Sequence, residues 1–147
     1  MAWKKFEKDL ADWIEYENKV INFLNKNNIP CFKNDDEKWV DLLLKNSNIT
    51  IEIKRDNKSK QTGNMYFETE CWWKPSGIYK YDGVNFWVQW VDEYFYVFDI
   101  EILKTYLEEK WWKVWWWDWW WSRWYIITEK KAEELAIIKI YFDNEKE

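Results

Sequence analysis

The chain has 147 residues, 33% of them charged, and a net charge of −5, and this length suits one domain with a sizeable core. It contains no histidine, which excludes histidine-dependent nucleases, Ser-His-Asp hydrolases and His-ligated zinc. Cys31 and Cys71 lack paired-ligand spacing, and neither a signal peptide nor an apolar run of membrane-spanning length is present, so we expect a reducing cytoplasm and no membrane partner.

The first predicted element is a helix over residues 4–27. Its apolar stripe includes Trp13, Val20 and Leu24, the pattern of a helix that packs on a core. Glu17 lies on this helix, either as an acid of a metal site or as an ordinary solvent-facing glutamate. A short strand over 29–33 follows.

Two apolar segments on either side of Asn46-Ser47-Asn48 then predict a β-hairpin. With a four-residue loop over 45–48, Leu44 pairs with Ile49, and Asp41 lies opposite Glu52. A three-residue loop would put a lysine on the apolar side, so the hydrophobic pattern favours the longer loop. One face then holds Leu42, Leu44, Ile49, Ile51 and Ile53, and the other holds Asp41, Leu43, Thr50, Glu52 and Lys54.

This register brings two carboxylates together beside a lysine. Close carboxylates repel each other unless a cation joins them, and Mg²⁺ accepts such oxygen ligands while keeping sites for water and phosphate. The metal can acidify a bound water and neutralise phosphate charge, while Lys54 can orient the water or stabilise the developing charge. The alternative is an amphipathic strand whose outer face carries ordinary charges.

The remaining elements alternate between strands and helices. They are a strand over 65–71 after a polar turn at 57–64, a loop or short helix over 74–82, an aromatic hairpin of 85–91 and 94–98, a helix capped by Asp99 and running to Lys110, a strand over 125–127, a helix over 130–135 capped by Thr128, and a strand over 137–142.

A cluster of basic residues, Arg55, Lys58 and Lys60, follows the candidate site. Such a strip can contact phosphates although the whole chain is acidic, and a solvated turn is the alternative. Thr62 and Asn64 can likewise reach a phosphate or serve turn chemistry.

The chain resembles the PD-(D/E)XK nuclease superfamily in three features that follow in order: an N-terminal helix with an acid, then Asp41, then Glu52-Ile53-Lys54. Val40 stands where many members have proline. Segments 61–64 and 74–77 are similar to small phage-type or resolvase-like members. The resemblance implies that residues 1–147 form one α/β domain with a restriction-endonuclease-like core, a mixed β-sheet flanked by helices in the order αβββαβ.

The resemblance also implies an Mg²⁺-dependent (or Mn²⁺-dependent) DNA endonuclease that leaves a 5′-phosphate, in a bacterial or phage-infected cytoplasm. By this resemblance the metal would be bound by Asp41, Glu52 and the backbone carbonyl of Ile53, and in some members by an additional acid such as Glu17. Lys54 would be catalytic. Duplex, branched and single-stranded DNA are all compatible, as is a homodimer. The rivals are a DNA-binding module without cleavage and a structural or assembly protein. The candidate DNA contacts are Arg55, Lys58, Lys60, Thr62, Asn64, Lys74, Ser76, Lys80 and Arg123.

Tryptophan is unusually abundant, with sixteen Trp against three Gly, and nine of the fourteen residues 111–124 are Trp. These nine follow neither a strand nor a helix period, and a small domain cannot bury so many rings. Some bacterial lineages read UGA as glycine. We therefore hypothesise that Trp at 72–73 and in 111–124 stands for glycine, whereas Trp87 lies in an aromatic strand and is a true tryptophan.

Overall fold

The computed structural model of the chain describes residues 14–15, 17–33, 42–44, 48–56, 59–80, 82–91, 93–110, 113–116 and 122–141. They form an α/β protein with two sheets. Helix α1 covers 14–26 with a gap at 16. In order there follow β1 (Cys31–Lys33), β2 (Leu42–Leu44), β3 (Thr50–Arg55), α2 (Ser59–Thr62), β4 (Asn64–Cys71), β5 (Lys74–Pro75), the 3₁₀ helix η1 (Gly77–Tyr79), β6 (Phe86–Val91), β7 (Tyr94–Asp99), α3 (Ile100–Lys110), β8 (Lys113–Trp116), β9 (Ser122–Thr128), α4 (Glu129–Leu135) and β10 (Ile138–Tyr141).

The hairpin of β2 and β3 has the predicted register. Leu42 pairs with Ile51, and the amide of Leu44 donates to the carbonyl of Ile49 at 3.1 Å. Leu42, Ile51 and Ile53 are buried in one core cluster that also includes Val20 of α1. The hydrophobic pattern therefore set the register and chose the face that α1 covers.

The six-stranded sheet has the order β1-β2-β3-β6-β7-β10 and is mixed, because β3 and β6 run parallel while the other pairs are antiparallel. Both of its faces are covered. Alpha1 packs on the face of Ile51 and Ile53, and a second core on the opposite face joins Trp87 and Phe98 to α3 and to the second sheet. Burial on both faces is typical of parallel strand pairs.

The third predicted strand forms, but it does not extend the hairpin sheet as a single-sheet core would require. Strand β4 belongs to a second, four-stranded sheet of order β5-β4-β9-β8. Its apolar residues match those of β9, with Met65 opposite Ile127 and Phe67 opposite Tyr125. Cross-strand pairs of this kind stabilise a sheet, so β4 pairs with a strand far along the chain. The general α/β class is confirmed, and the arrangement differs from one sheet flanked by helices.

Both predicted helix caps are present. The Asp99 carboxylate accepts from the amides of Glu101 and Ile102 at 3.0 and 3.2 Å, and the Thr128 hydroxyl accepts from the Lys131 amide at 3.2 Å. The aromatic hairpin of β6 and β7 and the last strand also form, within one or two residues of the predicted bounds.

None of the helices in the described ranges is long and apolar enough to cross a membrane.

Trp72 and Trp73 are the two residues that connect β4 to β5, whose flanking residues pair directly. Their φ angles are 51° and 66°, the left-handed region that favours glycine. Their side chains are 49% and 68% exposed, whereas Trp87 and Trp90 of β6 are 2% and 1% exposed. The chain therefore has buried tryptophans in β6 and exposed tryptophans at two positions whose backbone conformation favours glycine.

Candidate active site

Glu52 and Lys54 lie on the same face of β3, the face opposite to α1. In the parallel pairing with β6, Glu52 is level with Trp87 and Lys54 with Gln89. Glu52 is 6% exposed and Lys54 is half-buried. The outer face of this strand is therefore not a solvated surface, so the alternative of ordinary exposed charges fails for Glu52. Burying a carboxylate costs free energy unless a partner compensates its charge. Acids that are buried in this way are typical of functional sites.

Lys54 opens into a cavity between the two sheets. The cavity has a volume of about 130 Å³, room for a few water molecules. Among the described side chains, none forms an ion pair with Lys54 within 4.0 Å. The ammonium group is thus available to a phosphate or to water. The lining residues are Lys54, Arg55, Tyr66, Glu68, Gly77, Trp87, Gln89 and Trp124.

A buried hydrogen-bond network holds the two sheets together at this cavity. Trp87 Nε1 donates to Gln89 Oε1 at 2.9 Å. Gln89 Nε2 donates to Asp56 Oδ2 at 2.8 Å and to the backbone carbonyl of Tyr66 at 3.1 Å. Asp56 also accepts from the amides of Ser59 and Tyr66, at 2.8 and 3.2 Å. The network joins β3, β6, α2 and β4, so it fixes β4 opposite Lys54.

Glu68 of β4 faces Lys54 across the cavity. Burial raises the pKa of Glu68, while the nearby Ser76 hydroxyl and the charges of Lys54 and Lys80 act in the opposite direction. Strand β4 has an irregularity between Glu68 and Glu70. The Glu68 carboxylate therefore lies among two ammonium groups and a hydroxyl, at the side of the cavity away from β3.

The segment after β5 packs against Glu68 through Gly77. The φ of Gly77 is +56°, and a Cβ placed there would lie 2.1 Å from the backbone oxygen of Glu68. Ser76 donates its amide to the Thr69 carbonyl at 2.9 Å. Residues 74–80, which we call the strap, are therefore held directly on the backbone of β4, and only glycine fits at the point of closest approach.

We expect Gly77→Ala to lower the free energy of unfolding by about 2–3 kcal/mol, because a methyl group would strike backbone rather than a movable side chain. Gly83→Ala is the matched control, since Gly83 also has a positive φ, +80°, but has nothing within 4 Å of its Cβ position. It should cost about 1 kcal/mol. Equal losses in urea unfolding would show that the contact with Glu68 contributes nothing.

Glu17 is buried, 3% exposed, and its Oε1 lies 3.3 Å from Lys33 Nζ. Lys33 pairs with Leu42, which pairs with Ile51, so strand alternation puts Lys33 on the α1 face. Glu52 points to the other face. The structure thus brings Glu17 to Lys33 rather than to the face that carries Glu52.

Asp41 and Lys58 lie outside the described residues. Within the described ranges, no group of three or more Cys, Asp or Glu side chains could hold a metal ion. The described register of the hairpin ends at the Leu42–Ile51 pair, and Glu52 is the next residue along β3. A pair of carboxylates together with a backbone carbonyl, such as that of the buried Ile53, is a hard-oxygen donor set that suits Mg²⁺ or Mn²⁺.

The candidate DNA contacts divide into two groups. Arg55, Lys74 and Lys80 are exposed, and the Arg55 guanidinium lies 4.9 Å from the Trp90 ring centre. In the second group, Thr62 Oγ1 accepts from the Asn64 amide at 3.2 Å, and Arg123 Nη1 lies 3.8 Å from Glu70 Oε1. Ser76 is half-buried beside Glu68, and Lys60 is described only by its backbone in α2.

Three polar residues of the site were not predicted from the sequence: Asp56, Glu68 and Gln89. Each of the three lies in a sequence pattern that could have pointed to it. Gln89 is the only polar residue of β6. Glu68 shares a strand face with Tyr66 between the buried Phe67 and Thr69. Asp56 stands three residues before Ser59, the spacing of a helix N-cap.

No family model matches the chain, and neither a curated protein nor a solved structure does. The function is therefore inferred from the geometry of this site.

Proposed function

We propose that the protein is a metal-dependent DNA endonuclease that hydrolyses phosphodiester bonds. The observation that carries this proposal is that Glu52 and Lys54 share one face of β3, so that a buried carboxylate and an ammonium group lie on the same side of the strand. The ammonium opens into a cavity and forms no ion pair with another described side chain.

Glu52, Asp41 and the backbone carbonyl of Ile53 are the residues that would hold Mg²⁺ or Mn²⁺. When bound, the ion supplies charge neutralisation at the phosphate and a more acidic water. Burial of Glu52 strengthens its interaction with a cation, since the local dielectric constant is low.

Lys54 places a positive charge in the cavity, where the phosphate gains negative charge as the water attacks. A preorganised charge of this kind stabilises the transition state more than the ground state. Gln89, level with Lys54 on the neighbouring strand, is fixed by its bonds to Asp56 and Tyr66. The wall beside the ammonium is therefore rigid.

DNA approach to an acidic protein requires a locally basic surface. Arg55 lines the cavity and is exposed, the exposed Lys80 acts electrostatically on Glu68 of the cavity, and Lys74 adds an exposed charge on the same strap. Much of the acidic charge lies elsewhere in the sequence, in residues 108–109, 133–134 and 143–147. The proposal thus places the phosphate backbone along β3 and the strap.

The test is cleavage of supercoiled plasmid and of a branched duplex with Mg²⁺, against the same reaction with EDTA. The variants are Asp41→Asn, Glu52→Gln and Lys54→Met, which conserve size while removing charge. The proposal is supported if the parent protein cleaves DNA and each of the three substitutions abolishes that cleavage. Binding without cleavage by the parent would favour a DNA-binding module, and no affinity for DNA would favour a structural or assembly protein.

A further inference from the structure

We infer that Glu68 is a further catalytic residue of this site, the general base that takes a proton from the attacking water. The inference rests on the proposed function and extends it to a residue on a different sheet. Glu68 lies on β4, while Glu52 and Lys54 lie on β3, so the reaction would take place between the two sheets.

The geometry leaves space between Glu68 and Lys54. Both line the same cavity of about 130 Å³, and they form no ion pair within 4.0 Å among the described contacts. Yet Lys54 is close enough to act electrostatically on Glu68. The cavity that both groups line has room for a water or a phosphate oxygen, and such a water can donate to the carboxylate while it lies beside the ammonium group.

The chemistry needs an acceptor of this kind. The water oxygen forms a bond to phosphorus, the bond from phosphorus to the 3′-oxygen breaks, and the water proton moves to the Glu68 carboxylate. The departing 3′-oxygen takes a proton from solvent, so atoms and charge balance. A metal-ligating acid such as Glu52 is a poor acceptor, since its oxygens are engaged by the cation.

The surroundings of Glu68 suit the role. Burial raises its pKa, which makes the carboxylate a stronger base, while Ser76, Lys54 and Lys80 act in the opposite direction. The close packing of Gly77 on the Glu68 backbone oxygen fixes the main chain that carries the carboxylate.

A structural role of Glu68, in which its side chain only supports the strap beside Ser76, predicts different results. Glu68→Gln keeps the size of the side chain and removes its charge, whereas Ser76→Ala removes the neighbouring hydroxyl and keeps the charge. The pair separates the two roles in the full-length chain, with the DNA that the parent cleaves as substrate.

We expect Glu68→Gln to lower kcat by about 10²-fold or more with KM close to that of the parent, and to remove the rise of kcat with pH on the acidic side. Ser76→Ala should keep that rise. If Glu68→Gln fails to fold, Glu68→Asp is expected to fold, to keep the pH dependence and to lower kcat.

Near-parent kcat in Glu68→Gln, or an unchanged pH profile in that variant, would overturn the inference. If Glu52→Gln and Lys54→Met still abolish cleavage, the proposed function would stand without a role for Glu68. No Mg²⁺-dependent cleavage by the parent would instead remove the proposed function itself.

A separate observation concerns the turn between β4 and β5. The backbone geometry assigns glycine to positions 72 and 73 of the protein in its native host. Positive φ at both central residues of a two-residue hairpin loop defines a type I′ turn, which Gly and Asn populate and bulky residues avoid. Left-handed φ strains any residue with a Cβ, and the exposed rings gain little burial in return.

We expect the double variant Trp72→Gly, Trp73→Gly to melt about 5 °C above the parent, from the relief of left-handed strain at two residues. Trp72→Ala, Trp73→Ala is the matched control, because it removes the same rings and keeps the Cβ atoms. An equal gain in the alanine variant would mean that the rings, not the backbone, cause the effect.

Mass spectrometry of the protein isolated from its native host decides the assignment. Glycine masses at 72 and 73 support it, and tryptophan masses end it. The peptide covering 84–91 is an internal reference, because the buried Trp87 and Trp90 should remain tryptophan.

Discussion

Lys54→Met should lower the rate of DNA cleavage by about 10³-fold, the loss expected when a preorganised charge is removed from a transition state. Methionine keeps most of the length and apolar character of the side chain. Since Lys54 forms no ion pair within 4.0 Å with another described side chain, the substitution breaks no ion pair in the described part of the chain. We therefore expect the free energy of unfolding to change by less than about 1 kcal/mol.

Lys74→Met is the matched control for this prediction. It removes the same charge from an exposed position on the strap, so it should weaken DNA binding and reduce its salt dependence while kcat stays near that of the parent. The measurements are single-turnover cleavage, DNA affinity at two salt concentrations and urea unfolding. A Lys54→Met variant that cleaves like Lys74→Met would contradict a catalytic role for Lys54.

The hairpin that carries Glu52 and Lys54 was predictable because its constraints are local. Strand alternation allows only two registers by parity, and Leu42, Leu44, Ile51 and Ile53 are all buried or partly buried in one of them. The same rule put Glu52 on the face of Lys54. Capping at Asp99 and Thr128 was also readable, because an N-cap depends on a few adjacent residues.

The second sheet was not predictable in the same way. Strand β4 pairs with β9, so Phe67 meets Tyr125 from far along the chain, and no local pattern selects between distant partners. The network of Asp56 and Gln89 depends on that pairing. Glu68 was missed for the same reason, since only the approach of the two sheets brings it to Lys54.

The burial of Glu52 was not evident from the sequence either. A Glu-x-Lys pattern at the end of an apolar strand suits a half-exposed strand equally well. The parallel neighbour β6 and the second sheet cover that face, and they leave Glu52 6% exposed. The chemistry of the site therefore depends on a tertiary feature, the enclosure of β3 on both faces.

Asp56→Ala should produce the largest loss of stability among these substitutions, about 4 kcal/mol. Asp56 is 7% exposed and accepts from the Ser59 amide, the Tyr66 amide and Gln89 Nε2 at 2.8, 3.2 and 2.8 Å. Alanine would leave these three donors unsatisfied, and each buried unsatisfied group costs about 1–3 kcal/mol. The network joins both sheets, so its loss should also lower cleavage by moving β4 away from Lys54.

Asp99→Ala provides the comparison, because Asp99 also accepts from two backbone amides, at 3.0 and 3.2 Å. Those bonds cap an exposed helix end where water can replace the carboxylate, so the expected loss is about 1 kcal/mol. Urea unfolding of both variants measures the difference. Similar losses would mean that Asp56 acts as a simple helix cap, and that the alignment of Glu68 with Lys54 depends on the apolar packing between the sheets alone.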